Sequence, residues 1–584
     1  MKRILAAVLC SVMILAGCGS SSSAPAEETA GIYTPGTYTS TASGNNGDVT
    51  LKVTFSADKI ESIEVESAET PTIGVPAMDE FTEQVLADQT VPADVKTGAT
   101  NSSNAYITAL KDCITQAGGD PDSMTGDASA SEEGASYKTE ADIIVIGGGA
   151  AGMSAAISAS DAGKSVILLE KSGILGGNTV CAANGINGAD SQVQLDNETY
   201  QEKGASVEGL KSLQMNNPDA LENLVDAFAE NSGETLDWLS SIGAAFEVDI
   251  QEDDRNSEQN YYMVKDTTDG TTAVTLINLV SKELKNKDVE VILNMDATEL
   301  ITDGDVVTGV KAIDAWGNTV EFTGKCVLIA TGGFGQNSEL VGKVNPSLAN
   351  AVTDEIAPTT GEGLLMAEAV GADTANLDAI QTFPHVVPGY GMILPFNLPG
   401  GFTPDALYVN NSAERFTAEG FEIPDVLLSQ DKGEVYCIFD DSGMNDGLKT
   451  LVGNGVITTA DSPEELGEAL GIDGAKLAET IDAFNEDIKD GTDDAFGRAE
   501  NLNEISGTLY GYRFGVGAHY FMGGILIDED THVVNTEGNP IEGLYAAGEV
   551  TGGFHGTFRV DGSGLGDSFT FGRLAGKKMA EALN

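Results

Sequence analysis

Positive charge is scarce in this chain: 30 Lys and Arg stand against 91 Asp and Glu, a formal net charge of −61 at pH 7. Neutralising a phosphate backbone takes clustered Lys and Arg, so nucleic acid is excluded as a partner and the acid reads as a solvated surface. Histidine is scarcer still, at 4 in 584 residues, and cysteine numbers 6. With no paired C-x-x-C spacing and no C-x-x-C-H, neither a metal site nor attached haem is expected. Cys113, Cys181, Cys326 and Cys437 are too scattered for a disulfide framework. The apolar run behind Lys2 and Arg3, in MKRILAAVLCSVMILAGCGS, is too short to span a bilayer comfortably and reads as a signal peptide.

That run ends in Leu15-Ala16-Gly17-Cys18, which resembles a bacterial lipoprotein box. The resemblance implies a lipoprotein signal peptide at 1–18 with the cut just ahead of Cys18, loss of Cys10, and lipidation of Cys18 as the first residue of the mature chain. SSSSAPAEETA follows as a flexible tether over 19–30. The chain is then expected outside the cytoplasm, touching the membrane through a lipid anchor only. Its length and 41% hydrophobic content predict several domains with large cores.

Beyond the tether, GTYTSTASGNNGDVTLKVTFSADKIESIEVESAET alternates apolar and polar residues between turn signals, predicting a small antiparallel sheet. DVKTGAT at 94–100 follows, then the helix-like NSSNAYITALKDCITQAGG. This unit, 31–119, resembles the FMN-binding domain in which the last threonine of such a segment is esterified to the phosphate of FMN. The resemblance implies covalent FMN on Thr100, installed by a flavin transferase. Residues 120–139 are polar and poor in aromatics, and read as a linker.

From Ala141 the composition changes. A strand-length apolar run leads into GGGAAGMSAAISASDAG and then SVILLEK: strand, glycine turn, helix, strand. Gly147, Gly149 and Gly152 make G-x-G-x-x-G, in which the glycines permit a tight turn, close approach to a pyrophosphate and helix–sheet packing. The helix N-terminus supplies amide donors, and Glu170 ends the second strand, placed to accept from a ribose diol.

The motif alone does not choose between FAD and NAD. LGGNT at 175–179, ATGGFGQN at 330–337, TTGEG at 359–363, LYAAGEV at 544–550 and TFGRLAG at 570–576 together resemble the fumarate reductase/succinate dehydrogenase flavoprotein family. The fold it implies is α/β: the small α+β FMN-binding domain, then a Rossmann-like FAD-binding domain (140–381 and 516–584) with an inserted capping domain (382–515). It implies non-covalent FAD held by Gly147, Gly149, Ala150, Ala151, Gly152, Glu170, Lys171, Gly176, Gly177, Asn178, Thr179, Gly332, Gly361, Glu362, Glu549, Ser563 and Leu565. No second dinucleotide motif is evident for NAD, so electrons are expected from a membrane donor through FMN.

The resemblance also carries over two substrate anchors. GAHYFMGG aligns His519 with the family histidine that contacts a substrate carboxylate, and FHGTFR aligns Arg559 with the arginine that clamps the same end. Elsewhere the chain departs from the pattern. Phe383 replaces a histidine, Pro395-Phe396-Asn397 stands where a T-E pair is found, and the arginine proton donor has no counterpart. Arg415, before Phe416, fits a structural arginine instead. A second substrate carboxylate among Phe383, Phe396 and Phe402 would be an unpaired buried charge, at a cost of several kcal/mol. The expected acceptor is therefore an acrylate, aryl-acrylate or enone rather than fumarate. His385, Tyr390 and Tyr520 are the candidate proton donors; His555 is expected to support Arg559, and His532 to lie on a surface hairpin. Two alternatives remain: a ketosteroid-type dehydrogenase working oxidatively, and an electron-carrier lipoprotein without catalysis.

Overall fold

The computed structural model describes residues 32–584 apart from 45–46, 68, 70–73, 93–99, 125–136, 183–184, 203–205, 254–256, 265–271, 394–397, 402–404 and 421–423. The signal segment, the tether, residues 94–99, Phe396 and Phe402 thus lie outside the described residues, as does the side chain of Thr100.

The first unit is the predicted antiparallel meander, Gly36–Ser43, Asp48–Phe55 and Ile60–Ser67. Period-2 alternation sets its inner face: Val49, Leu51, Val53 and Phe55 are buried and the residues between them are more open. Helices Gly74–Asp88 and Thr100–Gln116 close that face through Phe81, Tyr106 and Leu110. The unit runs past the expected limit at 119, because a short 3-10 turn, Pro121–Met124, is tied back to it. Val91 N–H donates to the Met124 carbonyl at 2.8 Å and the Tyr33 hydroxyl to its sulfur at 2.9 Å.

The second unit is built on five parallel strands, Pro540–Ala546, Cys326–Ile329, Ile143–Ile146, Val166–Leu169 and Val289–Ile292, in that spatial order. Their near-continuous apolar runs are what a sheet covered on both faces requires. Helix Ala150–Asp161 packs against the C-terminal helix Ser563–Ala582 at close range. A Cβ on Gly572 or Gly576 would strike the backbone of Ala151 or Ala155.

The third layer is a mixed sheet, ordered Gly391–Met392, Ile380–Val387, Leu509–Phe521, Val435–Asp440, Leu407–Asn410. Alternate residues of its inner strands feed two cores: Cys437, Phe439, Tyr512 and Phe514 on one side, Tyr436, Ile438 and Leu509 on the other. The expected domain limits at 381/382 and 515/516 fall inside two of these strands, Ile380–Val387 and Leu509–Phe521. The cap is joined to the dinucleotide-binding unit by a paired ribbon, not by loops.

Candidate active site

The glycine motif behaves as the spacing demands. Gly147 has φ +108°, and a Cβ there would strike the Ala330 carbonyl; one on Gly152 would strike the Gly147 carbonyl. Gly149 differs, since a Cβ there would meet nothing nearer than 3.9 Å. Among the described residues no atom accounts for glycine at that position, and a ligand brought close to the backbone would.

Gly149 borders a cleft at the carboxyl ends of the parallel strands, where about 810 Å³, open solvent included, is free of protein atoms. Gly147, Ala150, Ala151, Glu170, Lys171, Gly177, Asn178, Thr179, Gly332, Glu362 and Glu549 also line it. The start of helix Ala150–Asp161 carries no side-chain cap from Gly149; Ala150 N–H donates to the Thr179 hydroxyl at 3.3 Å, and the dipole end of the helix faces the cleft. Glu170 is buried at the end of its strand and is fixed by Gly148 N–H on one oxygen (2.7 Å) and Ser172 N–H on the other (2.6 Å). Lys171 bridges Glu362 (2.7 Å) and Thr360 (2.9 Å) at the rim. The glycine-lined room, the helix start and the acid together fit a dinucleotide such as FAD.

Five predicted residues serve the cleft differently or not at all. Gly152, Gly176 and Gly361 shape turns and packing behind it. Ser563 is buried, accepting from Asn187 and Gln214, and Leu565 packs in the core.

At the inner end of the cleft Asn178 donates to Glu549 (3.3 Å), whose other oxygen accepts from Phe521 N–H (3.1 Å). Glu549 meets a second buried carboxyl, Glu355, itself held by Gly335 N–H at 2.6 Å. Burial raises both above the usual carboxylate range, and the neighbouring Glu549 charge raises Glu355 further. Glu355 and its neighbour Asp354 were not singled out from sequence. In a chain with 91 acids, two more carry no contrast.

The ribbon meets the cleft through Phe521, whose N–H is held by the cleft-lining Glu549. Between Gln381↔Tyr520 and Thr382↔Ala518 the register skips His519, a β-bulge that re-aims a side chain. Regular alternation would send His519 and Tyr520 to opposite faces. Here His519 meets Phe383 edge to face, with ring centroids 4.8 Å apart, and Tyr520 lies under the Arg559 guanidinium at 4.7 Å. Arg559 Nε donates to Gln381 Oε1 at 2.8 Å. Its terminal nitrogens meet, among the described residues, only Asp561 at 4.0 Å. A largely buried guanidinium edge is thus left for a carboxylate or carbonyl.

His519 Nδ1 is bound to Asp354 Oδ2 at 2.7 Å. Asp354 reaches it because strand Val352–Thr353 pairs in parallel with Gly517–Ala518. The Tyr520 hydroxyl contacts His555 Nε2 and donates to Asp567 Oδ2, both at 3.2 Å. Thus His555 braces Tyr520, and reaches Arg559 only through it.

Two expected proton donors lie away from Arg559 and His519. His385 is fully buried in the cap core, stacked on Phe514, with both ring nitrogens on the hydroxyls of Tyr512 and Tyr408 at 3.1 and 2.7 Å. Burial pushes its pKa down to about 3, which leaves the ring neutral near pH 7 with both nitrogens engaged. Tyr390 is half exposed at a hairpin beside Gly391–Met392, with no described contact to Arg559 or His519. His532 sits on its hairpin against Asp528, and Arg415 is an ion-network residue of the cap, held by Glu419 and Asp493.

Residues 142–565 match the FAD binding domain family, and residues 44–115 match the FMN-binding domain. The chain belongs to the fumarate reductase-type FAD flavoproteins. Urocanate reductase of Eggerthella lenta is 31% identical over 567 residues, covering 93% of this chain and 92% of that one. The NADH:fumarate oxidoreductase of Klebsiella pneumoniae is 30% identical over 561 residues; this chain spans 59% of its length. An open flavocytochrome c3 fumarate reductase structure superposes with a TM-score of 0.69 at 28% identity, over 77% of this chain and 80% of that one. This flavoprotein thus pairs an FMN-binding domain with an FAD-binding domain in one chain.

Proposed function

We propose that the protein reduces the activated C=C bond of an organic acceptor bearing one carboxylate or carbonyl: an acrylate, an aryl-acrylate or an enone. The observation that carries this is the bulged ribbon face, which gathers Arg559, Gln381, Tyr520 and His519 beside a cleft fitted to FAD. FAD, when bound, supplies the two electrons of the reduction. Gly149, the helix start at Ala150 and Ala151, Glu170, Asn178 and Glu549 would hold it. Arg559 takes the polar end of the acceptor with the donors that Gln381 leaves unused. Its charge stabilises the anion that builds on that end as the bond is reduced. Phe383 covers His519 from the side and gives the far end an apolar neighbour, which disfavours a second carboxylate.

The test is anaerobic reoxidation. Protein loaded with both flavins and reduced by a low-potential dye is mixed with fumarate, urocanate, cinnamate, acrylate or a steroid enone. Rapid recovery of flavin absorbance with a monocarboxylate or enone, and not with fumarate, is expected. Equal recovery with fumarate would overturn the reading of Phe383, and silence with every acceptor would leave an electron carrier.

The electron route belongs to the same proposal. Covalent FMN on Thr100 receives electrons from a membrane donor while the chain is held outside the cytoplasm by lipid on Cys18. The supporting features are the FMN-binding domain and the lipoprotein-like start of the chain. Thr100→Ala should abolish the flavin fluorescence that survives denaturing electrophoresis and leave extractable FAD unchanged. Retained covalent flavin would move the attachment elsewhere.

A further inference from the structure

Reducing a C=C bond by hydride needs a proton at the second carbon, and the expected donors do not serve. His385 is sealed in the cap and Tyr390 stands at a hairpin. Tyr520 turns its hydroxyl away, toward Asp567 and His555, and presents its ring to Arg559. Burial, and then the neighbouring Asp567 carboxylate, hold its proton more tightly than an ordinary phenol. Arg559 stays charged as the clamp and gives up no proton.

One group on that face is built to donate. His519 is the bulged residue, so its ring is aimed to the side where Phe383 and Arg559's partner Gln381 lie. Its Nδ1 is engaged by Asp354 at 2.7 Å, and Thr353 locks the neighbouring strand by donating to the Ala518 carbonyl at 3.0 Å. Side-chain exposure is 24% for His519 and 12% for Asp354, so the pair borders accessible space.

We propose that His519 is the proton donor of the reaction, with Asp354 as the positioning residue that fixes its tautomer. The proposal rests on the reductase reading above. As hydride adds at the carbon β to the activating carbonyl, the π pair is displaced toward the α carbon. Nε2–H of the imidazolium breaks as the α C–H bond forms. The ring is left neutral with its remaining proton on Nδ1, facing Asp354, and a solvent proton restores it. The two electrons are those of the reduced flavin, so the balance is one hydride and one proton per C=C bond. A carboxylate on Nδ1 serves this step by keeping the transferable proton on Nε2, toward the acceptor.

The test uses the holo-protein and whichever of acrylate, cinnamate or urocanate the wild type reduces fastest. His519→Gln should lower kcat about 10³-fold with KM changed less than about threefold, while ferricyanide, which needs no proton, reoxidises the flavins at the wild-type rate. Asp354→Asn should lower kcat at least about tenfold with KM held. A readout independent of turnover comes from ¹⁵N-histidine NMR, tractable because the chain has 4 histidines. The resonance lost in His519→Gln should show a protonated Nδ1 in the wild type, and Asp354→Asn should shift the proton toward Nε2. If His519→Gln raises KM and leaves kcat intact, His519 is a binding residue and the proposal fails alone. If the wild type reduces none of the acceptors, the reductase reading fails and takes this one with it. An unchanged tautomer in Asp354→Asn removes Asp354 from its role.

Discussion

Arg559→Ala is expected to lower kcat/KM for the organic acceptor about 10³-fold while FAD stays bound, because the lost donors act where charge builds in the transition state. The cleft does not need Arg559: the side chain reaches Gln381 and Tyr520 on the ribbon, and none of the cleft-lining residues. Arg559→Lys keeps the charge but not the planar fork and should recover only part of the loss. Steady-state rates with reduced viologen, alongside flavin content from the absorbance spectrum, check both variants. A loss below tenfold in Arg559→Ala would mean that the polar end of the acceptor binds elsewhere.

The second large effect is on stability and lies away from the chemistry. Arg415 is bidentate to Glu419 and Asp493, all three side chains are nearly or fully buried, and Arg498 reaches Glu419 from the other side. Removing the guanidinium in Arg415→Ala strands carboxylates with no access to water, which costs about 3–5 kcal/mol. Hydrogen exchange of the cap strands Val435–Asp440 and Leu509–Phe521 should speed up accordingly, with the parallel sheet little changed. The sign with pH follows from Asp493. Hydrogen bonding to Arg415 holds its carboxyl far below the usual range, so its contribution is fully present above the unfolded value, about 4. It is lost as pH falls through the folded value. The gap between wild type and Arg415→Ala should therefore be constant near neutrality and shrink in acid. A gap that widens in acid would rule out Asp493 as the partner that matters.

The sequence reading succeeded where one residue type answers one steric demand. Gly147 and Gly152 could be read because no other side chain fits against the carbonyls of Ala330 and Gly147. The alternation of DVTLKVTF gave the first sheet for the same reason. It failed where position depends on long-range register. His385 and His519 look alike in a string of letters. The fold puts one in the aromatic core of the cap and re-aims the other with a single extra residue, which only strand pairing reveals. Glu355 and Asp354 were invisible for a compositional reason, since acid is the background of this chain. The unit boundaries at 381 and 515 were drawn by family order, and each falls within a continuous strand.

That continuity has a mechanical meaning. A loop hinge lets a cap swing while the floor stays still; two hydrogen-bonded strands act as a leaf spring, which yields by twisting along its whole length. Gln381, Phe383, His519 and Tyr520 are mounted on the spring itself. Any rotation of the cap relative to the parallel sheet must pass through them as torsion. Their alignment with Arg559, which is anchored outside the ribbon, therefore measures how far the cap has turned.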